Sequence, residues 1–351
     1  MALKAVLSTS NNPWFNLALE HYLGQTMAAD DHIFYWWQNR PAVIVGCFQD
    51  AWAECQVENL MAAAVDLVRR PTGGGAVYHD LGNSNFSFWD SCRRFYANPL
   101  SDPFVKEHFA IIIDALNTFG LTAFTYGRND LGIMKQGEQY KVSGNAFAYH
   151  HGKALHHGTL LREVDFKKMQ EFLRPHRLKR RGVASHPQQV ANLVDFNSRI
   201  THQNLGQKIK EIWVNQLGRL MTDNSSLAWI TYGENDLPTL LAAGEEVFPY
   251  AKWTSRAWNW GERHHFAQSL DFKFSFGLFT VMAAIDDQHK IQQAVIYSDT
   301  LQLDLVQKWQ QGLLGRNWQV LELLECLPQD LLTSIQQAEV AQKLKEWPER
   351  P

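Results

Sequence analysis

The chain has 351 residues, enough for about two domains at roughly 100–200 residues each, and its 45% hydrophobic and 20% charged residues are an ordinary globular balance. Lys and Arg number 33 against 36 Asp and Glu, a net charge of −3; this excludes a general nucleic-acid binder, which needs a strong basic excess, and an acidic disordered chain. No run of 18 apolar residues is present, so no transmembrane helix is expected, and residues 1–10 lack the long apolar core of a signal peptide. The four cysteines, Cys47, Cys55, Cys92 and Cys326, form no CxxC pair and suggest a reducing cytoplasm.

Asn12 and Pro13 suit the cap and first position of a helix carrying Phe15, Leu19, Tyr22 and Leu23 on one face. Strands are predicted at Ile33–Trp37 and Ala42–Val45, a helix at Val57–Ala64 and an extended segment at Asp66–Arg70. Ala76–His79 and Asn85–Trp89 read as a hairpin about Asp80-Leu81-Gly82-Asn83. Ser101 is placed to cap a long helix from Phe104 to Phe119, stopped by Gly120. Short strands follow near Thr122–Tyr126, Leu131–Lys135, Tyr140–Val142 and Ala154–Leu161, then a helix near Asp165. Arg174–Arg181 is a basic run. Thr222–Pro249, mixed in Asn, Asp, Ser, Gly and Pro, is the candidate linker. Beyond it Leu270, Phe272, Phe274 and Phe276 alternate with polar residues, the pattern of a strand buried on one face. Strands at Leu278–Ile285 and Ile291–Tyr297 and a helical tail from Leu303 complete a small α+β unit.

The segment Arg69-Arg70-Pro71-Thr72-Gly73-Gly74-Gly75-Ala76-Val77-Tyr78-His79 carries the strongest chemical signal. A strand ends on two arginines, suited to charge-assisted bonds with phosphate or carboxylate. Three glycines then allow close backbone approach, and successive N–H groups can form an anion-binding concavity. The spacing matches neither a Walker A loop nor GxGxxG. Lys141-Val142-Ser143-Gly144-Asn145 offers an ammonium beside a phosphate, although a lone lysine is ordinarily a surface residue. His156 and His157 are adjacent on a strand and point to opposite faces, which disfavours a shared metal. Asp130, after Gly127-Arg128-Asn129, offers oxygen ligation to Mg²⁺ or simply starts a strand.

Taken in order, Arg69–Asn83, Gly127–Leu131, Lys141–Ala146 and His156–Leu161 resemble the motifs of the lipoate–protein ligase A family. The N-terminal Pro13–Ala18, the loop Lys179–Ser185 and the segment Trp258–Gly261 extend the resemblance over nearly the whole chain. Pro71-Thr72 departs from the frequent pair of small residues, and Asn145 stands for a frequent serine. The resemblance implies an α+β protein of the biotin/lipoate-protein ligase fold, a class II aminoacyl-tRNA synthetase-like, mainly antiparallel mixed sheet with flanking helices. It implies a catalytic domain at 1–246 and a small α+β accessory domain at 254–351, able to reorient about residues 247–252.

The activity implied is conversion of lipoate or octanoate and MgATP to acyl-AMP and pyrophosphate. Transfer to a lysine on the lipoyl domain of a 2-oxoacid dehydrogenase acyltransferase subunit, or on the glycine cleavage H protein, would follow. No tightly bound prosthetic group, nucleic acid or membrane is implied, and a monomer is expected. Residue by residue, Arg70, Gly75, Ala76, Val77, Tyr78, Arg181, Gly182 and Val183 would meet ATP or the adenylate. Lys141 would stabilise the charge developing between the acyl carbonyl and the α-phosphate. Arg70, Gly73, Gly74, His79, Lys141, Ser143, Gly144 and His157 would line the lipoate site, with Asp130 near Mg²⁺. An octanoyl/lipoyl acyltransferase of the same fold works through a cysteine thioester; no cysteine occurs from 93 to 325, which opposes that route. The loop of a biotin–protein ligase is absent. A non-catalytic lipoate-binding module is opposed by Lys141 together with the full Arg70–Tyr78 loop.

Overall fold

In the computed structural model, residues 2–91, 103–127, 129–150, 152–174, 189–217, 227–262, 264 and 266–346 are described. The strands of the larger unit are β1 (Leu3–Ser8), β2 (His32–Trp37), β3 (Ala42–Val45), β4 (Asp66–Arg69), β5 (Val77–His79), β6 (Asn83–Ser91), β7 (Thr122–Tyr126), β8 (Asp130–Lys135), β9 (Glu138–His150), β10 (Lys153–Leu161) and β11 (Trp229–Tyr232). Its helices are α1 (Pro13–Thr26), α2 (Ala51–Glu54), α3 (Val57–Ala62), α4 (Pro103–Thr118), α5 (Phe166–Phe172), α6 (His202–Leu217), α7 (Leu237–Leu241), α8 (Tyr250–Thr254) and α9 (Arg256–Trp260). The caps read from the sequence are used. Asn12 accepts from the N–H of Trp14 and Phe15 at 3.1 and 3.3 Å, and Asp165 accepts from Lys167 and Lys168. Ser101 lies outside the described residues.

Eight strands form one mixed sheet in the order β11-β1-β2-β6-β10-β9-β8-β7. β1 runs parallel to both of its neighbours, β2 and β11; the other pairings in this sheet are antiparallel. The central strands alternate between two cores. Phe34, Trp36, Phe86 and Phe88 face one side, where α4 brings Ile112 and Leu116 and α6 brings Ile209 and Trp213. Ile33, Tyr35, Trp37 and Trp89 face the other, beneath Phe15 and Leu19 of α1 and Trp253 of α8. Being covered on both faces explains why β2, His-Ile-Phe-Tyr-Trp-Trp, is almost continuously apolar. A second sheet, β4-β3-β5, lies on the α1 side and packs on α3 and α5.

The predicted hairpin does not form. A turn does exist, with Asn83 N–H donating to Asp80 O at 3.0 Å, but its two arms enter different sheets. β5 pairs with β3, whereas β6 sits between β2 and β10. The strand β6 is buried along nearly its whole length and needs a neighbour on each edge and a core on each face, which a two-stranded hairpin cannot supply.

The candidate linker is likewise structured in its described part. Trp229–Tyr232 is an edge strand parallel to β1, and Leu240 and Phe248 are buried with α1. Its polarity reflects an exposed edge. The expected pivot at 247–252 is occupied by core: the Phe248 ring lies 6.4 Å from Phe15 and 6.2 Å from Tyr22. Helix α9 is bolted to β4, since Arg69 N–H donates to Asn259 Oδ1 at 2.8 Å and Trp258 Nε1 donates to Arg69 O at 2.9 Å.

The Phe-rich alternation becomes β12 (Gln268–Phe274), which pairs with β13 (Gly277–Ile285) and through it with β14 (Ile291–Ser298). Phe272, Phe279 and Val281 meet Leu305, Val306 and Trp309 of α10 (Leu303–Gly312) and Leu323 of α11 (Val320–Glu325), with Val340 of α12 (Ser334–Glu346) closing the core. This smaller unit docks on the larger one: Ser298 N–H donates to Phe48 O at 2.9 Å, and Gly74 N–H to Thr300 O at 3.2 Å.

Candidate active site

A cavity of about 680 Å³ opens between the α1-side face of the main sheet, the loop after β4 and the accessory unit. Its floor is a row of residues in register. Trp37 faces Asn85, Asn85 faces Thr159, the Thr159 hydroxyl accepts from Gly144 N–H at 3.3 Å, and Gly144 faces Asp130. Four strand spacings of about 4.8 Å make this row about 19 Å long. Opposed residues of an antiparallel pair share a face, so the register alone brings together side chains 122 positions apart.

The roof is the loop following Arg69 and Arg70. Both arginines are buried, and their hydrogen bonds go to neutral oxygens. Arg69 Nη1 holds the carbonyls of Gly46, Cys47 and Gln49 at 2.8, 3.1 and 2.7 Å. Arg70 Nη2 donates to Gly73 O at 2.7 Å and Gly75 O at 2.8 Å, and its Nε donates to Thr72 Oγ1 at 3.0 Å. Burial pushes the Arg70 guanidinium down to about 10, so it stays charged at neutral pH. Gly74 has φ +91, a left-handed conformation that glycine alone takes without strain. At Gly73 a Cβ would stand 2.1 Å from Thr300 O, so this glycine is fixed by contact with the accessory unit.

The closed end is wired from below. Glu20, buried in α1, meets His157 Nδ1 at 2.9 Å; His157 Nε2 lies 2.9 Å from Thr72 Oγ1, which also accepts from Arg70. Ser87 donates to the same Glu20 oxygen. Thr72, a departure from the family pattern, therefore ties the loop to the strand β10 and through His157 to α1. Glu20 was not foreseen. Its signal is the i, i+4 pair Asn16 and Glu20, two polar residues on the buried side of an otherwise apolar helix. His79 lines this end, and burial, reinforced by Arg70, pushes its imidazole down to about 3, leaving it neutral.

At the other end Lys141 Nζ lies 2.8 Å from Asp130 Oδ2. Lys141 is also fixed through its backbone, its N–H donating to Gln189 O at 2.7 Å and its carbonyl accepting from Ala191 at 3.1 Å. The basic run thus leaves from Arg174, whose Nε donates to Cys55 O at 2.9 Å, and the chain returns beside Lys141. Arg181, Gly182 and Val183 lie outside the described residues.

Of the site residues expected from the sequence, Arg70, Gly74, Gly75, Ala76 and Val77 line the cavity from the loop side, with His79. Asp130, Lys141, Gly144 and His157 line it from the sheet. Three expected residues do not. Gly73 packs on Thr300; Tyr78 turns into the core with Phe172; and Ser143, on the opposite side of β9 from Gly144, accepts from Asn145 Nδ2 at 3.2 Å. Trp37, Asn85, Thr300 and Leu301 line it without having been singled out.

Two chemistries can be weighed on this geometry. Burial pushes the thiols of Cys47 and Cys55 up to about 12, too high for a thiolate nucleophile at neutral pH. Among the described residues no three His, Cys, Asp or Glu gather as a metal site. Of Asp130 and Asp299, which both line the cavity, Asp130 is the one paired with Lys141, and a lone carboxylate there fits an ion brought by phosphate oxygens.

A long cavity on one face of this mixed sheet, with a buried guanidinium over it and a lysine at one end, is an arrangement suited to an enzyme that holds an extended acid and activates its carboxylate. The family described as "Lipoyl protein ligase A/B catalytic domain" matches residues 12–213. The chain is 34% identical over 308 residues to lipoate-protein ligase A of Psychrobacter cryohalolentis, covering 87% of this chain and 86% of the relative. It is 31% identical to that of Blochmanniella floridana, covering 98% and 97%. Among solved structures, P. falciparum LipL1 in complex with lipoate shares the fold with a TM-score of 0.78 and 24% identity, covering 98% of this chain and 99% of that one. A lipoate-protein ligase A bound with ATP is similar with a TM-score of 0.59 and 25% identity, covering 74% and 99%. A bipartite ligase from Thermoplasma acidophilum, described with its E2 lipoyl domain, gives 0.60 and 26%, covering 76% and 98%. The chain belongs to the lipoyl protein ligase A/B catalytic-domain family.

Proposed function

We infer that this chain is an ATP-dependent lipoate–protein ligase. Relatives named lipoate-protein ligase A and the similar ligase bound with ATP support the activity. The observation that carries it is Lys141 paired with Asp130 at one end of a cavity whose other end is closed and roofed by the charged Arg70. An acid lies in this cavity with its acyl chain along the sheet and its carboxylate toward Lys141. A carboxylate oxygen attacks the α-phosphorus of ATP, the bond to the bridging oxygen breaks, and pyrophosphate leaves. The acceptor lysine amine then attacks the acyl carbon, AMP departs, and an amide remains. Lys141 stabilises the charge that grows on the phosphate and acyl oxygens, and Asp130 keeps its ammonium aimed before ATP arrives. Asp130 would offer a carboxylate oxygen to a Mg²⁺ ion carried by the triphosphate, which would help neutralise the phosphate charge.

The acceptors we propose are lipoyl domains of 2-oxoacid dehydrogenase acyltransferase subunits and the glycine cleavage H protein; the neighbour described with an E2 lipoyl domain supports the first. The free thiols Cys47, Cys55 and Cys326 suit a reducing cytoplasm, and the oligomeric state we propose is a monomer. The division between catalytic and accessory units falls at 261–267, after the bolted α9 and before β12, with Gly261 at φ +66 as its first residue. Pyrophosphate release on mixing the enzyme with lipoate and ATP, followed by a lipoyl mass increment on an added lipoyl domain, is the test. Absence of release defeats the reading.

A further inference from the structure

At the closed end of the cavity the polar atoms do not balance. Asn85 is fully buried in β6, in register between Trp37 and Thr159, and it lines the cavity three strands away from Asp130. Among the described residues neither its Nδ2 nor its Oδ1 has a hydrogen-bond partner. His79 flanks the same Trp37, with ring centroids 5.9 Å apart, and its buried Nε2 likewise has no partner among the described residues.

The proton on His79 can be placed by following the bonds inward. Ser8 and Tyr35 hydroxyls donate to Asn16 Oδ1 at 2.5 and 3.1 Å, which fixes that amide. Asn16 Nδ2 donates to Asn39 Oδ1 at 2.9 Å, so Asn39 presents its Nδ2 to His79 Nδ1 at 3.0 Å. His79 Nδ1 is therefore an acceptor and its hydrogen sits on Nε2. The far end of the cavity thus holds unmet donors on His79 and Asn85 and an unmet acceptor on Asn85. Buried groups left this way cost their full desolvation unless a ligand meets them.

We propose that Asn85, with His79 beside Trp37, reads the far end of the acyl chain and selects a tail bearing divalent sulfur over a methyl-terminated chain of the same length. This rests on the ligase reading, which sets the carboxylate at Lys141. Sulfur is a weak acceptor for the two N–H groups, and the thiols of a reduced dithiolane also donate weakly to Oδ1. A methyl group offers neither and leaves all three atoms unmet, and sites built for polar atoms reject analogues that lack them. Asn85 acts on which acid binds and takes no part in the reacting bonds.

The test compares lipoate with octanoate in the full-length enzyme by pyrophosphate release at saturating ATP and by calorimetric binding of each acid without ATP. The wild type favours lipoate about tenfold in kcat/KM, carried by KM. Asn85→Leu, close in volume and apolar, brings the ratio to near one in both measurements. In the absence of ligand it melts a few degrees higher, because the unmet amide is gone. A lower melting temperature with an unchanged ratio overturns the proposal, since the amide is then satisfied within the fold by a lodged water. A wild-type ratio near one overturns it too. If the leucine variant does not fold, Asn85→Ala carries the same ratio measurement. Absence of pyrophosphate release by the wild type with either acid defeats the ligase reading instead, while the binding ratio still decides Asn85.

Discussion

The two ends of the cavity are built on different plans. The closed end is made of groups locked before any ligand arrives: Glu20, His157, Thr72 and Arg70 form one bonded chain within the core, and Asn16 and Asn39 fix His79. The mouth is assembled from pieces remote in sequence. Lys141 leans on Asp130 and on the segment returning at Gln189, and Thr300 of the accessory unit takes the Gly74 N–H. The closed end recognises one kind of ligand and profits from rigidity. The mouth must admit ATP, exclude water from the adenylate and then admit a protein, so its parts must separate.

The comparison breaks most severely at Lys141. Lys141→Ala should lower the rate of lipoyl-AMP formation by about 10²–10³ with little change in lipoate affinity, because it removes charge stabilisation at the mouth alone. Near-normal adenylate formation in a single-turnover assay would remove Lys141 from the chemistry.

Acid strikes the interior. His79 and His202 are pushed down to about 3 and His156 well below its ordinary value, in each case chiefly by burial. Their folded values lie below the unfolded 6.5, so the unfolded chain binds about three more protons between pH 6 and 4. Stability contributed above pH 6.5 should therefore drain away as pH falls, with a slope of up to about 4 kcal/mol per pH unit. His32, raised mainly by its hydrogen bond to Asp90, has the opposite sign: it stabilises below 6.5 and loses that as pH rises through its folded value. Urea unfolding at several pH values measures the slope; a flat profile from pH 6 to 5 contradicts the buried neutral histidines.

Thr72→Val should cost about 1–3 kcal/mol of stability, since it strands His157 Nε2 in the core and leaves Arg70 Nε only its longer bond to Gly73 O at 3.3 Å. It should raise KM for lipoate more than it lowers kcat. An unaltered melting temperature would show that the closed end is not wired as described.

The smallest effect is expected at the domain contact. In Gly73→Ala the new methyl meets Thr300 O at 2.1 Å, so the accessory unit should lift. Cleavage within 261–267 by a protease of low specificity should rise a few-fold, and scattering should report a larger radius. Unchanged cleavage would mean that the loop yields and the domain stays.

Much of this was legible in the residues. The cap at Asn12, the strand at Ala42–Val45, the alternating phenylalanines and the arginine–glycine loop each rest on interactions within a few positions, where local rules hold. The misreadings have one cause. Asp80–Asn83 makes the turn a hairpin requires, yet β5 and β6 part because β6 needs burial on both faces. Residues 229–232 look like linker because an edge strand beside water carries no apolar alternation. Ser143 was drawn into the site by its neighbours in sequence, although adjacent residues of a strand face opposite ways.

By itself the sequence determined which chemistry the protein carries, because a lysine, a pair of arginines and a run of glycines have that chemistry wherever they stand. The tertiary structure alone decided which of them share a cavity. It set Asp130 against Lys141, hung Thr72 between Arg70 and His157, brought Thr300 onto Gly74 and left Asn85 without a partner among the described residues. The reason is strand register: one residue of slip in β6 would turn Asn85 to the other face and close the site, and no local pattern fixes that register before both cores have formed.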